Sequence, residues 1–96
     1  MKVLVRDTAR RDLDEIFDWI SGHSPNAANK VIRRIRTRIN RLANPSLSQI
    51  GRPGLIAGTR ELLEPPYLII CQVDIEADAI VVLGIVHTAR NRDPGE

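Results

Sequence analysis

The chain has 96 residues, one cysteine, three aromatic residues and a formal net charge of +2, which bounds it to a single domain, 1–96, with one modest core. A lone Cys71 excludes an internal disulfide and cysteine-based metal motifs, and three aromatic rings are too few for a base-stacking platform. The opening MKVLVRD is too short an apolar run for a signal peptide, and no segment approaches the roughly 20 apolar residues of a membrane span, so the expectation is a cytoplasmic protein with no membrane partner.

The first predicted element is a short strand, Lys2 to Arg6, with β-branched residues at positions 3 and 5. Asp7 or Thr8 is then expected to cap a helix. Within it Ala9, Leu13, Ile16, Phe17 and Ile20 recur at helical spacing and form one apolar stripe, with acids on the opposite side. Trp19 lies just off that stripe, at the margin of the core. Gly22 is the expected C-terminal cap, and His23 falls in a short, solvent-exposed joint. Ser24-Pro25 starts a second helix, with serine at the cap and proline at the first helical position. That helix is expected to run to Leu42 or Ala43, burying Ala28, Val31, Ile32, Ile35, Ile39 and Leu42. Asn44-Pro45 stops it. A joint of three or four residues makes the two helices an antiparallel hairpin.

Residues 45 to 58 read as a loop. TRELLE, YLIICQV and AIVVLGIVH follow as strands. Pro65-Pro66 allows only a turn or an edge, and Asp74 to Asp78 forms a hairpin connection. The fold class is α+β: an N-terminal strand, an antiparallel helical hairpin, then a three-stranded antiparallel meander (β-α-α-β-β-β), with the hairpin packed on one sheet face. Strand alternation puts Leu68 and Ile70 opposite Tyr67, Ile69, Cys71 and Val73. In the last strand it sets Ile80, Val82 and Val86 against Val81, Leu83 and Ile85. Both faces are apolar, and one hairpin covers only one of them. The other needs a loop, a second copy or, the favoured reading, a partner chain.

Charge is unevenly spread. From Lys30 to Arg60 lie Lys30, Arg33, Arg34, Arg36, Arg38, Arg41, Arg52 and Arg60 with no acid between them, whereas Asp7 to Asp18 is acid-rich. The basic stretch suits an anionic partner, nucleic acid or acidic protein; alternatively it is a solvated face paired with the acidic first helix. The glycine-rich GRPGLIAGTREL has neither the Lys-Ser/Thr ending of a phosphate-binding P-loop nor a helix after it, so it reads as a loop that carries Arg60 into the sheet.

Several stretches then occur together in a telling order: ARRDLDEIFDWI, VIRRIRTRINRLANP after a helix-starting proline, GRPGLIAGTREL, PYLIICQVD and IVVLGIVHTARN. In this the chain resembles the RelE/ParE superfamily of toxins from type II toxin–antitoxin systems, over nearly its whole length. The resemblance implies a growth-inhibiting toxin neutralised by a cognate antitoxin, in a heterotetramer or larger complex, with no cofactor and no metal. RelE-like members cut mRNA on the ribosome without metal. ParE-like members poison DNA gyrase and have no accepted hydrolytic site.

On the ribonuclease branch the resemblance makes Arg60, His87 and Arg90 the catalytic candidates. The chain departs from that branch: no tyrosine follows His87, and GLIA stands where lysines precede the GTRE motif. The ParE-like branch, which includes plasmid-stabilisation proteins, is therefore favoured, with gyrase as target and no enzymatic activity. The ribosome with its mRNA is the alternative target, and a non-toxic basic binding module is a third reading. Candidates for binding target or antitoxin are Arg33, Arg34, Arg38, Arg41, Arg52 and Tyr67. Structural roles stand beside these: Arg60 pairing with Glu64, His87 closing the strand end by bonding to backbone, and Tyr67 and Cys71 in the core.

Overall fold

The computed structural model describes residues 2–43, 52, 53 and 58–88. Strand β1 (Lys2–Val5) leads into helix α1 (Asp7–Ser21), helix α2 (Pro25–Asn40) and a 3₁₀ turn, Arg41–Ala43. Strands β2 (Arg52–Pro53), β3 (Thr59–Glu64), β4 (Tyr67–Asp74) and β5 (Ala79–His87) follow. The two-residue β2 lies inside the stretch read as a loop. The rest of that loop, apart from Gly58, is outside the described residues.

The five strands form one sheet in the order β1-β5-β4-β3-β2. The β3-β4-β5 meander is antiparallel, as expected. Strand β1 joins its far side parallel to β5, Lys2 opposite Ala79 and Val5 opposite Val82. Local patterning carries no information on that pairing, because it links residues at opposite ends of the domain.

The helices form where the apolar stripes predicted them. Ser24 caps α2, its Oγ accepting from the Ala27 N–H at 3.2 Å. Neither Asp7 nor Thr8 caps α1. Its N-cap is Arg6, which makes no side-chain cap bond. Gly22 does close α1, but with φ −61°, so the left-handed freedom of glycine is not used. Gly58 does use it: at φ +85° it turns the chain into β3.

The core lies between the hairpin and one sheet face. Ala9, Leu13, Ile16, Ile35, Ile39 and Leu42 from the helical layer meet Leu62, Tyr67, Ile69, Cys71, Ile80, Val82 and Ile85 from the sheet. Trp19 is outside this core, 61 % exposed, because its wheel position points away from the sheet. The alternation expected for β5 fails midway. The β4/β5 register shifts at Ile70/Cys71, with Ile70 opposite Gly84 but Cys71 opposite Val82. Leu83 is the extra residue of a β-bulge. Beyond it the faces exchange, so Ile85 rather than Val86 shares the core face with Ile80 and Val82.

Helix α1 holds this bulge. Strand β1 ends opposite Val82, and two side chains of α1 take the backbone groups beyond. Thr8 Oγ1 donates to the Leu83 carbonyl at 2.7 Å, and the Ile85 N–H donates to Asp12 Oδ2 at 2.9 Å. Thr8 and Asp12 are four residues apart and therefore share one helix face. Gly84 leaves room for the contact: a Cβ there would stand 3.1 Å from Asp12 Oδ2. On the far sheet face Leu68, Thr59 and Glu61 are buried, while Leu4 and Leu63 are about half exposed.

Candidate functional site

Two clefts and one strand arginine hold the candidate residues other than Arg52 and Arg90. The larger cleft, about 480 Å³, runs along α2 and is lined by Lys30, Arg33, Arg34, Thr37, Arg38 and Arg41, with Glu64 on the opposite wall. Lys30, Arg33, Arg34, Thr37 and Arg38 of α2 and Arg41 at the start of the 3₁₀ turn recur every three or four positions, so successive turns place them in one column. Arg34 is anchored across the cleft. Its Nη2 donates to the Pro65 carbonyl at 2.8 Å and lies 3.4 Å from Glu64 Oε2. The expected Arg60–Glu64 pair is thereby replaced by Arg34–Glu64, because α2 packs beside the end of β3.

Among the described residues no ion pair joins the acids of α1 to the arginines of α2. The reading of the basic face as neutralised by the first helix is thus not met. Arg38 is half-buried, and among the described residues its buried Nε–H has no hydrogen-bond partner. The cleft gathers four of the binding candidates, Arg33, Arg34, Arg38 and Arg41. It adds Lys30 and Thr37, whose signal in the sequence is their i, i+3/i+4 phase with those arginines.

The second cleft, about 360 Å³, opens between α1 and the end of β5. His87 and Tyr67 line it together with Asp12 and Glu15. Tyr67 stands opposite His87 in the sheet, and the rings meet edge to face with centroids 5.3 Å apart. Tyr67 is 5 % exposed, a core residue as expected. The strand end is closed by Thr88, whose N–H and Oγ1 donate to the Pro66 carbonyl at 2.9 and 3.1 Å.

Arg60 lies elsewhere. It is half-buried on the helix-facing side of β3, opposite Cys71, and Glu61 points to the other face. Burial raises the Cys71 thiol above its ordinary value, and the positive charge of Arg60 offsets part of that rise. Arg60 pairs through Cys71 to Val82, whereas His87 pairs through Tyr67 to Glu64. Four residues along the strand and two strand spacings across put the Arg60 and His87 backbones about 16 Å apart. The β2 backbone places Arg52 opposite Glu61, and Arg90 lies outside the described residues. Among the described residues no group of three His, Cys, Asp or Glu side chains is placed to hold a metal ion. No described helix is long and apolar enough to cross a membrane.

Comparison with known proteins bears on this arrangement. The family model for the ParE toxin of type II toxin–antitoxin systems (parDE) matches residues 3–92. A Sinorhizobium fredii (strain NBRC 101917 / NGR234) protein named "Putative toxin Y4kP" is 39 % identical over 77 residues, 78 % of each chain. Among solved structures, a chain of the chromosomal ParDE toxin–antitoxin system from P. aeruginosa superposes with a TM-score of 0.79 and 28 % identity, covering 91 % of this chain and 95 % of that one. A chain of the RelBE2 toxin–antitoxin complex from Mycobacterium tuberculosis superposes with a TM-score of 0.56 and 25 % identity, covering 90 % and 88 %.

Proposed function

The chain belongs to the ParE toxin family of type II toxin–antitoxin systems, and from that membership we propose that it arrests growth in the cytoplasm by poisoning DNA gyrase and is neutralised by a cognate antitoxin. It acts as a binding protein that traps an enzyme. The observation that carries the choice of target is the separation of Arg60 from His87. Metal-free cleavage of RNA needs a base, an acid and a charge-stabilising cation around one phosphate. Here the backbones of the strand arginine and the histidine stand about 16 Å apart across the sheet, on strands two spacings apart, which does not favour one shared phosphate. His87 also shares its cleft with Asp12 and Glu15, whose charge disfavours a phosphate. The apolar groups left in solvent, Leu4, Leu63, Trp19 and Ile75, offer the antitoxin its contact area.

The similarity to the RelBE2 complex favours the second reading, a ribosome-dependent endoribonuclease. The two are separated by running the purified toxin against gyrase supercoiling beside a translating ribosome with mRNA. Inhibited supercoiling with intact mRNA is the expected result. Cleaved mRNA with unaffected supercoiling overturns the gyrase reading. In that event His87→Ala should slow cleavage by about 10²-fold or more. On the gyrase reading Arg60→Ala and His87→Ala leave mRNA untouched, as the wild type does.

A further inference from the structure

We infer that the cleft along α2 is a binding site for the phosphate backbone of duplex DNA. The choice of DNA over RNA rests on the gyrase reading, since DNA is the substrate of that target; the phosphate chemistry does not depend on it. The cations run from Lys30 to Arg41, eleven positions that span about 16 Å along the helix. They repeat once per turn, a rise of about 5.4 Å, which suits a regularly charged polymer. Arg33, Arg38 and Arg41 are arginines, whose planar donor fork engages phosphate oxygens in pairs. Thr37 adds a hydroxyl of the kind that positions a phosphate.

Three features of the cleft argue for an absent anion. Among the described residues Lys30, Arg33, Arg38 and Arg41 make no ion pair, so no described carboxylate relieves their mutual repulsion. The buried Arg38 Nε–H finds no acceptor among the described residues, a state that costs free energy until something accepts from it. Five basic side chains, Lys30, Arg33, Arg34, Arg38 and Arg41, line this one cleft against a single described carboxylate, Glu64, so the local field is positive.

Much of the cleft's surface is the aliphatic stems of its arginines and lysine, but among the described residues no aromatic or aliphatic side chain lines it, which favours nucleic acid over an acidic protein segment. Protein partners anchor through buried aromatic and aliphatic groups, with charges at the rim. This cleft is walled by cations and a threonine. The one carboxylate on its wall, Glu64, is engaged by Arg34. That pair fixes the cleft's edge and leaves the other four cations for the ligand.

The test is fluorescence anisotropy of a short labelled DNA duplex titrated with the purified chain at several salt concentrations. Binding in the range of about 10⁻⁶ to 10⁻⁴ M is expected, with a slope of log K on log salt of about −3 for three or four neutralised phosphates. The triple variant Arg33→Gln, Arg38→Gln, Arg41→Gln should flatten that slope by about 3. A control variant, Arg10→Gln, Arg11→Gln, Arg36→Gln, loses the same charge from exposed residues that do not line the cleft. It should bind as the wild type does. Thermal melts of both variants check that each is folded.

Equal losses in the two variants would overturn the assignment by showing only a net-charge effect. Binding to an RNA of the same sequence but not to the DNA duplex would overturn it as well. So would displacement of the duplex by a polyglutamate peptide of equal charge at equal concentration, which would mark a protein-binding groove. Inhibition of gyrase with no DNA binding overturns this inference and leaves the gyrase reading intact. DNA binding without any effect on supercoiling does the reverse.

Discussion

Asp12 offers a sharp check on how the sheet is held. Its carboxylate accepts the Ile85 N–H at 2.9 Å, beside a bulge that β1 does not reach. Asp12→Ala removes the acceptor and leaves a partly buried N–H without a partner. A lost charge-assisted hydrogen bond of this kind costs about 1.5–3 kcal/mol. In a chain of this size 1 kcal/mol moves the melting temperature by about 4–8 °C, so a drop of roughly 6–24 °C is expected. Asp12→Asn keeps a neutral acceptor and should lose about half as much. Gly84→Ala gives the opposite handle. Its new Cβ would stand 3.1 Å from Asp12 Oδ2, so the carboxylate must retreat and lengthen its bond. In the Asp12→Ala background that obstacle is gone. The same Gly84→Ala change should there be neutral or stabilising by up to about 1 kcal/mol, because alanine loses less entropy than glycine in a strand. A double-mutant cycle by equilibrium urea unfolding measures the coupling. The reasoning fails if Asp12→Ala unfolds at the wild-type urea midpoint. It also fails if Gly84→Ala shifts that midpoint equally in both backgrounds.

Two further outcomes follow from burial. Leu62 is fully buried and Leu63, its neighbour on β3, is 53 % exposed; Leu62→Ala should cost about 3–4 kcal/mol and Leu63→Ala less than about 0.5, read from chemical denaturation. Cys71 has a thiol raised above its ordinary 9.0 by burial, so the unfolded chain gives up that proton first. The stability this group contributes is whole below pH 9.0 and falls as pH rises above it. Urea midpoints taken below and above that value should therefore decline less in Cys71→Ala than in the wild type.

Much of the architecture was legible because it rests on local periodicity. The stripes Ala9-Leu13-Ile16 and Ala28-Ile35-Ile39 mark core faces whatever they pack against. Ser24-Pro25 marks a helix start by its own chemistry. Readings failed where a distant residue decides the outcome. Thr8 and Asp12 look like a cap and a surface acid, yet each is drawn to a backbone group more than 70 positions away. Val86 and Ile85 exchange faces because one bulge inverts the alternation beyond it. Glu64 has a basic residue four positions before it on its own strand, but the helix supplies Arg34 instead. The candidate site divides the same way. The arginine column of α2 is written in helical spacing, whereas the distance from Arg60 to His87 depends on strand register, which the sequence does not spell out.

The parallel pairing of β1 with β5 also shapes how this chain folds. The bonds that seat β1 and α1 close loops of 73 and 75 residues, from Asp12 to Ile85 and from Thr8 to Leu83. Closing loops that long is entropically costly and slows the search for the native state. While the chain is being synthesised, the helical hairpin leaves the ribosome long before the strand that receives it. Its apolar stripes gain β3 and β4 as partners first, and β1 and the bonds from Thr8 and Asp12 wait for β5. Completion of the sheet therefore waits on the synthesis of β5, because β1 and α1 are tied to it rather than to β3 or β4.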